Sequence, residues 1–155
     1  TDRSRGLGDV YKRQILSSLA IHYIEDYAQL VKKISDKLPV GGHFVMSVEH
    51  PIFTAQGKEE WVTDDQGHNL YWPVDRYFDE SQRKTDFLGH QIKKYHRTLT
   101  TYLNTLLDHQ LRLNRVIEPI PTDEMVKTIP GMADELRRPM MLIVATTKTA
   151  YTHEK

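Results

Sequence analysis

Residues 38–49 read LPVGGHFVMSVE, and this stretch decides the fold class. Pro39 cannot continue a helix, and the glycine pair Gly41-Gly42 gives the backbone the freedom that a turn needs. The next residues, His43–Glu49, have a nearly continuous apolar middle, which is typical of a strand buried on both faces of a parallel sheet. The stretch therefore predicts a turn that leads from a helix into an interior strand.

A helix is predicted immediately upstream of this turn. Asp26 is its predicted N-cap, with Gln29 three residues on as the capping-box partner. Before the helix, residues 15–19 (ILSSL) predict the end of another buried strand, so residues 15–49 form a strand–helix–strand unit. The helix is indicated by apolar side chains at spacings of three and four residues, namely Tyr23, Tyr27, Leu30, Val31, Ile34 and Leu38.

The α/β pattern stops after residue 51. Residues 52–88 contain 7 of the chain's 14 aromatic side chains, so we expect this segment to pack rather than to form a solvated linker. Residues 61–63 and 70–72 flank a turn-rich segment and predict a β-hairpin, whereas residues 91–96 fit either a third short strand or the start of a helix. The α/β pattern then returns with a helix over 99–107 capped by Thr98, a strand over 111–118, short helices from 122 and from 132, and a last interior strand over 140–146.

The first 14 residues show no apolar periodicity. Their run SRGLGDVYKRQ resembles a translated sequencing-adapter end, so we expect residues 1–14 to be a non-native scar; a flexible native N-terminus is the alternative. On the first interpretation, residues 15–148 are the C-terminal part of a domain, with residues 52–97 as an aromatic-rich insertion or lid and residues 149–155 as a frayed tail.

Composition excludes several functional classes. The 21 basic and 21 acidic side chains cancel, so neither nucleic acid nor a membrane is an expected partner. The longest apolar run, Met140–Ala145, is far too short to span a bilayer. Because the chain has no cysteine, disulfides and thiol catalysis are excluded and a cytoplasmic location is expected. The histidines lack the spacing of a helical metal site, so no metal is expected.

Several runs together carry a resemblance to a known family. They are residues 15–24 and 38–51, followed by Trp72–Phe78, Lys94–Thr98, Glu118-Pro119 and Gly131–Pro139. In order and spacing they resemble the second half of class I S-adenosylmethionine-dependent methyltransferases of the type 11 group. The resemblance implies an α/β fold with a partial Rossmann-like sheet, strands four to seven with the last antiparallel. It also implies S-adenosyl-L-methionine as cofactor and methyl transfer to a small-molecule substrate.

The chain also departs from the family pattern. Pro39 comes one position early in the turn, and His109-Gln110-Leu111 stand where the family has a glycine and an aromatic residue. A non-glycine residue in a left-handed cap costs about 1 kcal/mol. The family's glycine-rich cofactor loop has no counterpart, since Gly6-Leu7-Gly8 has neither a strand before it nor a helix after it. We therefore expect the chain alone to be an inactive fragment.

Two strand ends are the predicted chemical sites, because ligands of open α/β sheets bind beyond the carboxyl ends of the strands. Ser17, Ser18 and Leu19 end the first strand, where the family contacts the cofactor, and His22 follows them as a further cofactor-binding candidate. His50 ends the next strand and is the predicted catalytic residue, as a substrate contact or general base, because imidazole titrates near neutral pH.

The predicted substrate-binding residues share aromatic or cationic side chains, and each also has a plain structural explanation. The aromatic insertion could instead be a satellite core, and the basic residues could be helix-entry or exposed groups. The set comprises Tyr71, Trp72, Arg76, Tyr77, His96, Arg97 and Arg138. Two functional alternatives also stay open: a non-catalytic binding module of the same fold, and an unrelated Rossmann-like enzyme.

Overall fold

The computed structural model of the chain describes residues 13–150. Residues 1–12 of the predicted scar and residues 151–155 of the predicted tail lie outside the described residues. The elements follow in the order β1 (Gln14–Ser18), a 3-10 turn (Ile21–Tyr23), α1 (Tyr27–Lys37), β2 (His43–Glu49), α2 (Pro51–Thr54), β3 (Val62–Thr63), β4 (Asn69–Tyr71), β5 (Gln82–Phe87), β6 (His90–Tyr95), α3 (Leu99–Asp108), β7 (Leu111–Ile117), α4 (Asp123–Thr128), a second 3-10 turn (Met132–Leu136) and β8 (Met141–Lys148).

The chain divides into two compact units. The first, which we call the sheet unit, comprises the residues up to 48, residues 99–117 and the residues from 143 onward. The second, which we call the insertion unit, comprises residues 49–98 together with residues 118–142. The aromatic-rich segment recognised in the sequence falls in the insertion unit.

A four-stranded mixed sheet organises the sheet unit, in the order β1-β2-β8-β7. β1 and β2 are parallel, with Ile15 opposite Phe44. β7 and β8 are antiparallel, with Leu111 opposite Lys148. β8, the last strand within residues 13–150, is thus inserted between β2 and β7. This arrangement confirms the prediction of an α/β fold with a Rossmann-like sheet and an antiparallel last strand.

Local sequence signals set the bounds of α1 and β2. The Asp26 carboxylate accepts a hydrogen bond from the Gln29 backbone N–H at 3.0 Å, as the capping pattern predicts. Gly41 adopts a φ of +87°, the left-handed region that favours glycine. A Cβ on Gly42 would lie only 3.0 Å from the carbonyl oxygen of Pro39. Both glycines are therefore required by the turn that directs the chain into β2.

The core of the sheet unit forms where α1 and α3 contribute buried tyrosines. The Tyr27 hydroxyl donates to the Tyr102 carbonyl at 2.7 Å, and the two rings meet edge to face at 5.2 Å. β1 was predicted to be a buried strand, but Leu16 is 49% exposed because β1 is the terminal strand of the sheet that the described residues form. The other large buried apolar side chains of this unit are Ile21, Val31, Ile34, Leu38, Phe44, Met46, Val48, Leu106, Leu111 and Val144.

Two β-hairpins characterise the insertion unit. β3 and β4 pair antiparallel, which confirms the first predicted hairpin. β6 resolves the open choice for residues 91–96 in favour of a strand, and its partner β5 was not predicted. β5 escapes an apolar-periodicity search because its buried side chains are Arg83 and Thr85. Across residues 13–150, no helix has both the length and the apolarity needed to cross a membrane.

The cap after α3 offers a stability test. Gln110 adopts a φ of +66° between α3 and β7, so the left-handed cap is kept without its glycine. We expect Gln110→Gly to raise the free energy of unfolding by about 0.5–1 kcal/mol, because glycine adopts this conformation without a Cβ clash. Urea denaturation measures the change. A matched Gln29→Gly substitution inside α1 should destabilise the protein instead. If Gln110→Gly were no more stable than the parent, the inference of backbone strain at Gln110 would be wrong.

Candidate functional site

The carboxyl end of β1 carries the residues predicted to bind a cofactor. Because β1 and β2 are parallel, their carboxyl ends lie at one edge of the sheet, where Ser18 faces Ser47. Leu19 leaves the strand with a φ of +50°. Its N–H donates to the carbonyl oxygen of Ser47 at 2.9 Å and to its hydroxyl oxygen at 3.1 Å. Ser17 is half-buried, whereas Ser18 and Leu19 are exposed, so this edge presents hydroxyl groups beside an open strand end.

His22 is the fourth predicted cofactor contact. It lies in the 3-10 turn that follows β1 and is 2% exposed, with its ring centroid 4.3 Å from that of Tyr23. His22 is therefore a buried residue of this turn rather than an exposed one. The structure brings His22 and the β1 end into the same unit, and cofactor binding by these four residues stays a prediction.

His50, the predicted catalytic residue, is buried and engaged at both ring nitrogens. It caps α2, where its Nδ1 accepts a hydrogen bond from the Ile52 N–H at 3.0 Å. Its Nε2 lies 2.5 Å from Oε2 of Glu118. Because Nδ1 accepts a hydrogen bond, the ring proton resides on Nε2, which donates to the Glu118 carboxylate. Within the described part of the chain, no group of three His, Asp or Glu side chains could hold a metal ion.

Electrostatics keep this imidazole neutral. Burial lowers the pKa of His50, and its hydrogen bond to the negatively charged Glu118 carboxylate opposes that effect only in part. The His50 side chain is 4% exposed, whereas that of Glu118 is 55% exposed. The pair therefore consists of a buried neutral imidazole that orients a solvent-facing carboxylate. His50 as the base stays a prediction, but the carboxylate is the member of the pair that can reach a ligand.

Two adjoining cavities open beside this pair in the insertion unit. The first has a volume of about 390 Å³ and includes Glu118, Arg137 and Arg138 in its wall. The second, of about 360 Å³, is more apolar and shares Glu135 with the first. Both fall in the range of small-molecule sites. Their apolar lining comes from Ile52, Pro119, Ile120, Pro121, Met125, Met132, Leu136, Pro139, Met140 and Met141.

Arg138 lies in an aromatic cluster rather than on the surface. Its guanidinium carbon is 4.2 Å from the Trp72 ring centroid and 5.0 Å from that of Phe53. The rings of Phe53 and Trp72 stack 5.0 Å apart, and Trp61 meets Trp72 edge to face. Both terminal nitrogens of Arg138 donate to the Glu135 carboxylate. The two terminal nitrogens that could otherwise bind a substrate carboxylate are thus occupied by a side chain of the chain itself.

The remaining substrate candidates are dispersed over the insertion unit. Tyr71 is exposed on β4. Arg76 forms an ion pair with Asp79 at 2.5 Å on an exposed turn. Tyr77 meets His96 edge to face at 5.6 Å, and the buried Arg97 lies 6.0 Å from the Tyr95 ring. The structure therefore brings Tyr77 together with His96, and Trp72 with Arg138, while their substrate roles stay predictions.

His96 provides a pH test of the insertion unit. It is fully buried, with Nδ1 2.7 Å from the Thr54 hydroxyl and Nε2 donating to the Tyr77 carbonyl at 2.7 Å. Burial lowers its pKa below that of a free histidine. The His96 imidazole is therefore protonated more readily in the unfolded chain than in the folded protein. The stability of the fold falls as the pH decreases from above 6.5 through the lowered pKa of His96.

A His96→Gln substitution tests this pH dependence of stability. We expect its stability deficit relative to the parent to shrink between pH 7.5 and pH 5.5, because the parent alone loses the histidine contribution. Urea denaturation at several pH values measures the deficit. His90→Gln, at the exposed first position of β6, the strand that ends directly before His96, is the control and should show a constant difference. A deficit for His96→Gln that is independent of pH would contradict the prediction.

A buried ion cluster was missed by sequence reasoning. Lys94 lies 2.6 Å from Oε1 of Glu49 and 2.8 Å from Oε1 of Glu59, and the three side chains are 8 to 11% exposed. Burial and the neighbouring Glu49 raise the pKa of Glu59 to about 7, although its hydrogen bond with Lys94 acts in the opposite direction. Two carboxylates thus share one ammonium group inside the insertion unit.

Comparisons with known proteins bear on the fold. The chain is 49% identical to a candidate S-adenosylmethionine-dependent methyltransferase from Listeria monocytogenes, with a TM-score of 0.85 over 94% of this chain and 65% of that one. The chain has the class I methyltransferase fold. A second crystal structure, of an S-adenosylmethionine-dependent methyltransferase from Mesorhizobium loti, is 42% identical with a TM-score of 0.79, over 88% of this chain and 62% of that one.

A Haemophilus influenzae protein described only as uncharacterized is 30% identical over 139 residues, which are 86% of this chain and 53% of that protein. No protein-family model matches the chain. The chain therefore spans between about half and two thirds of the length of these relatives.

Within this methyltransferase fold, Glu118 is the functional candidate that the sequence analysis did not single out. It follows β7 directly and meets His50 across 68 positions of sequence. One signal was present, because Glu118-Pro119 is among the runs that carry the family resemblance. A lone acidic residue after a strand has no distinguishing periodicity, however, so its pairing with His50 could be found only from the structure.

Proposed function

We propose that this chain forms part of an enzyme that transfers a methyl group from S-adenosylmethionine to a small molecule. The proposal rests mainly on one observation. This chain has the sheet order β1-β2-β8-β7 and is 49% identical, over 94% of its length, to the Listeria methyltransferase candidate. When bound, the cofactor supplies an electrophilic methyl group, so the protein's main tasks are to align the acceptor and to exclude water. Neither task requires a metal.

The β1 edge fits the cofactor's amino acid portion in its chemistry. That portion carries an ammonium and a carboxylate group, and the hydroxyls of Ser17 and Ser18 can accept from the first or donate to the second. We assign Ser17, Ser18, Leu19 and His22 to this contact. The wall residues of the insertion-unit cavities would hold the acceptor.

The proposal includes a larger enzyme around this chain. Support comes from the relatives, of which the chain covers 65%, 62% and 53%. The glycine-rich cofactor loop that the resemblance implies would then be supplied by the rest of that enzyme. We expect the 155-residue chain by itself to bind the cofactor poorly and to catalyse no transfer.

Calorimetric titration with S-adenosylhomocysteine tests the proposal on the protein encoded by the complete reading frame that contains this chain. We expect binding in the micromolar range, and labelled product when methyl-labelled S-adenosylmethionine is incubated with a small-molecule cell extract. Absence of S-adenosylhomocysteine binding would overturn the proposal. Binding without any labelled product would favour the alternative, a non-catalytic binding module of the same fold.

A further inference from the structure

Charge pairing leaves one group uncompensated in the wall of the 390 Å³ cavity. Arg137 pairs with Asp134 at 3.0 Å, and Arg138 pairs with Glu135. Glu118 has only the neutral His50 as its partner, and within residues 13–150 no hydrogen bond reaches its Oε1. Glu118 is therefore the one charged side chain of this wall that has no oppositely charged partner among the described residues, and its carboxylate is held by His50.

The orientation of Glu118 is set by a relay that begins in the backbone. The Ile52 N–H occupies Nδ1 of His50, and this contact forces the ring to present its proton at Nε2 toward Oε2 of Glu118. One carboxylate oxygen is thereby held, and the other remains available to a ligand. A carboxylate fixed in this way, next to an apolar surface, binds a cation better than a freely rotating one because less ordering is required on binding.

The apolar surroundings define the rest of the ligand. Ile52, Pro119, Ile120 and Leu136 share the cavity with Glu118, and the adjoining cavity adds four methionines at positions 125, 132, 140 and 141. Methionine side chains adapt to irregular apolar shapes. The volume and the lining suit a molecule with one ring or a short branched chain rather than a polar sugar or a nucleotide.

We propose that this cavity binds a small apolar molecule that carries a protonated amine, with Glu118 as the group that recognises the ammonium and His50 as the positioning residue. The inference deepens the proposed function and rests on it, because it names the chemical class of the methyl acceptor. Glu118 selects an amine over a carboxylic acid of the same shape. His50 acts through Glu118 and does not touch the ligand.

Benzylamine and benzoate, two probes of similar size and opposite charge, test the inference in the complete protein. Binding is followed by NMR shifts of the backbone amides of residues 118, 120 and 138. We expect benzylamine to bind at least tenfold more tightly than benzoate. Glu118→Gln should weaken benzylamine binding about 10- to 100-fold, as the loss of a charge-assisted hydrogen bond predicts, without weakening benzoate binding.

Two further variants separate recognition from folding. Glu124→Gln removes an exposed carboxylate of α4 that lines neither cavity, and it should leave both affinities unchanged. His50→Asn keeps an oxygen that can accept from Ile52 but cannot hold Glu118, so it should reduce the amine-over-acid preference severalfold while leaving S-adenosylhomocysteine affinity intact.

Three outcomes would overturn the inference: equal affinity for the two probes, unchanged benzylamine binding in Glu118→Gln, or no binding of benzylamine at millimolar concentration. Because S-adenosylhomocysteine is titrated separately, these failures are distinguishable from failure of the proposed function. A protein that binds S-adenosylhomocysteine and methylates an extract component, yet shows any of the three outcomes, is a methyltransferase whose acceptor is not recognised by Glu118.

Discussion

Replacing Lys94 with Met should lower the free energy of unfolding by about 3–5 kcal/mol, which is the typical cost of removing one partner from a buried ionic cluster. Lys94 bridges Glu49 and Glu59, and all three side chains are at least 89% buried. Without the ammonium group, two carboxylates would share an apolar environment with no cation between them. The folded state would then be destabilised by the desolvation of these two carboxylates, which the ammonium group otherwise offsets.

The pH dependence of this loss has a definite sign. Burial and the charge of Glu49 already raise the pKa of Glu59 to about 7, and removal of Lys94 would raise it further. A carboxyl group whose folded pKa exceeds its unfolded value destabilises the protein most when the pH is high enough to ionise it. The deficit of Lys94→Met should therefore be larger at pH 8 than at pH 5.5, as measured by urea denaturation.

Two companion variants make the test specific. Lys93→Met, at an exposed neighbouring position of β6, should change stability by no more than about 0.5 kcal/mol. Adding Glu59→Gln to Lys94→Met removes one of the two carboxylates and should recover part of the loss. If Lys93→Met and Lys94→Met cost the same, or if the double variant is no more stable than Lys94→Met, the cluster does not stabilise the fold through charge compensation.

The sheet unit was largely predictable because its signals are local and apolar. His43–Glu49 was predicted with the bounds that β2 has in the structure. The Asp26 cap follows from the short-range rules of helix termini. The order of the strands could not be predicted in this way. Periodicity does not encode the position of β8 between β2 and β7, which came from the family resemblance.

The insertion unit was less predictable because polar residues carry its interior. The contact between His50 and Glu118 joins positions 68 apart, and that between Lys94 and Glu59 joins positions 35 apart. Such pairs create no period in the sequence, and each member alone resembles a surface residue. The burial of Arg83 hid β5 for the same reason. Candidate site residues could be named from strand ends, but their partners required the structure.

Arg83 should prove as important to the insertion unit as Lys94. Its guanidinium, in a side chain only 3% exposed, donates to backbone carbonyls rather than to a carboxylate. The acceptors are Ala55 at 2.8 Å, Arg76 at 2.9 Å, Asp79 at 3.0 Å and Ser81 at 3.1 Å. One planar side chain thus ties the turn over residues 76–81 to the segment that follows α2.

We expect Arg83→Gln to lower the free energy of unfolding by about 3 kcal/mol, because the buried carbonyl of Ala55 and three part-buried carbonyls lose their donor at once. Arg83→Lys should cost nearly as much, since an ammonium keeps the charge but cannot satisfy acceptors that surround a planar fork. Lys84→Gln, at the next and exposed position of β5, serves as the control and should be nearly neutral. Urea denaturation measures all three variants.

Hydrogen exchange locates the effect and distinguishes geometry from charge. In Arg83→Gln and Arg83→Lys, the amides of residues 76–81 should exchange faster than in Lys84→Gln, because the turn is held through its carbonyls by this side chain. The amides of α1 in the sheet unit should keep their relative protection. If Arg83→Lys were as stable as the parent, the positive charge rather than the planar set of guanidinium donors would hold the turn. The hydrogen bonds from Arg83 to four carbonyls would then contribute little to the stability of the fold.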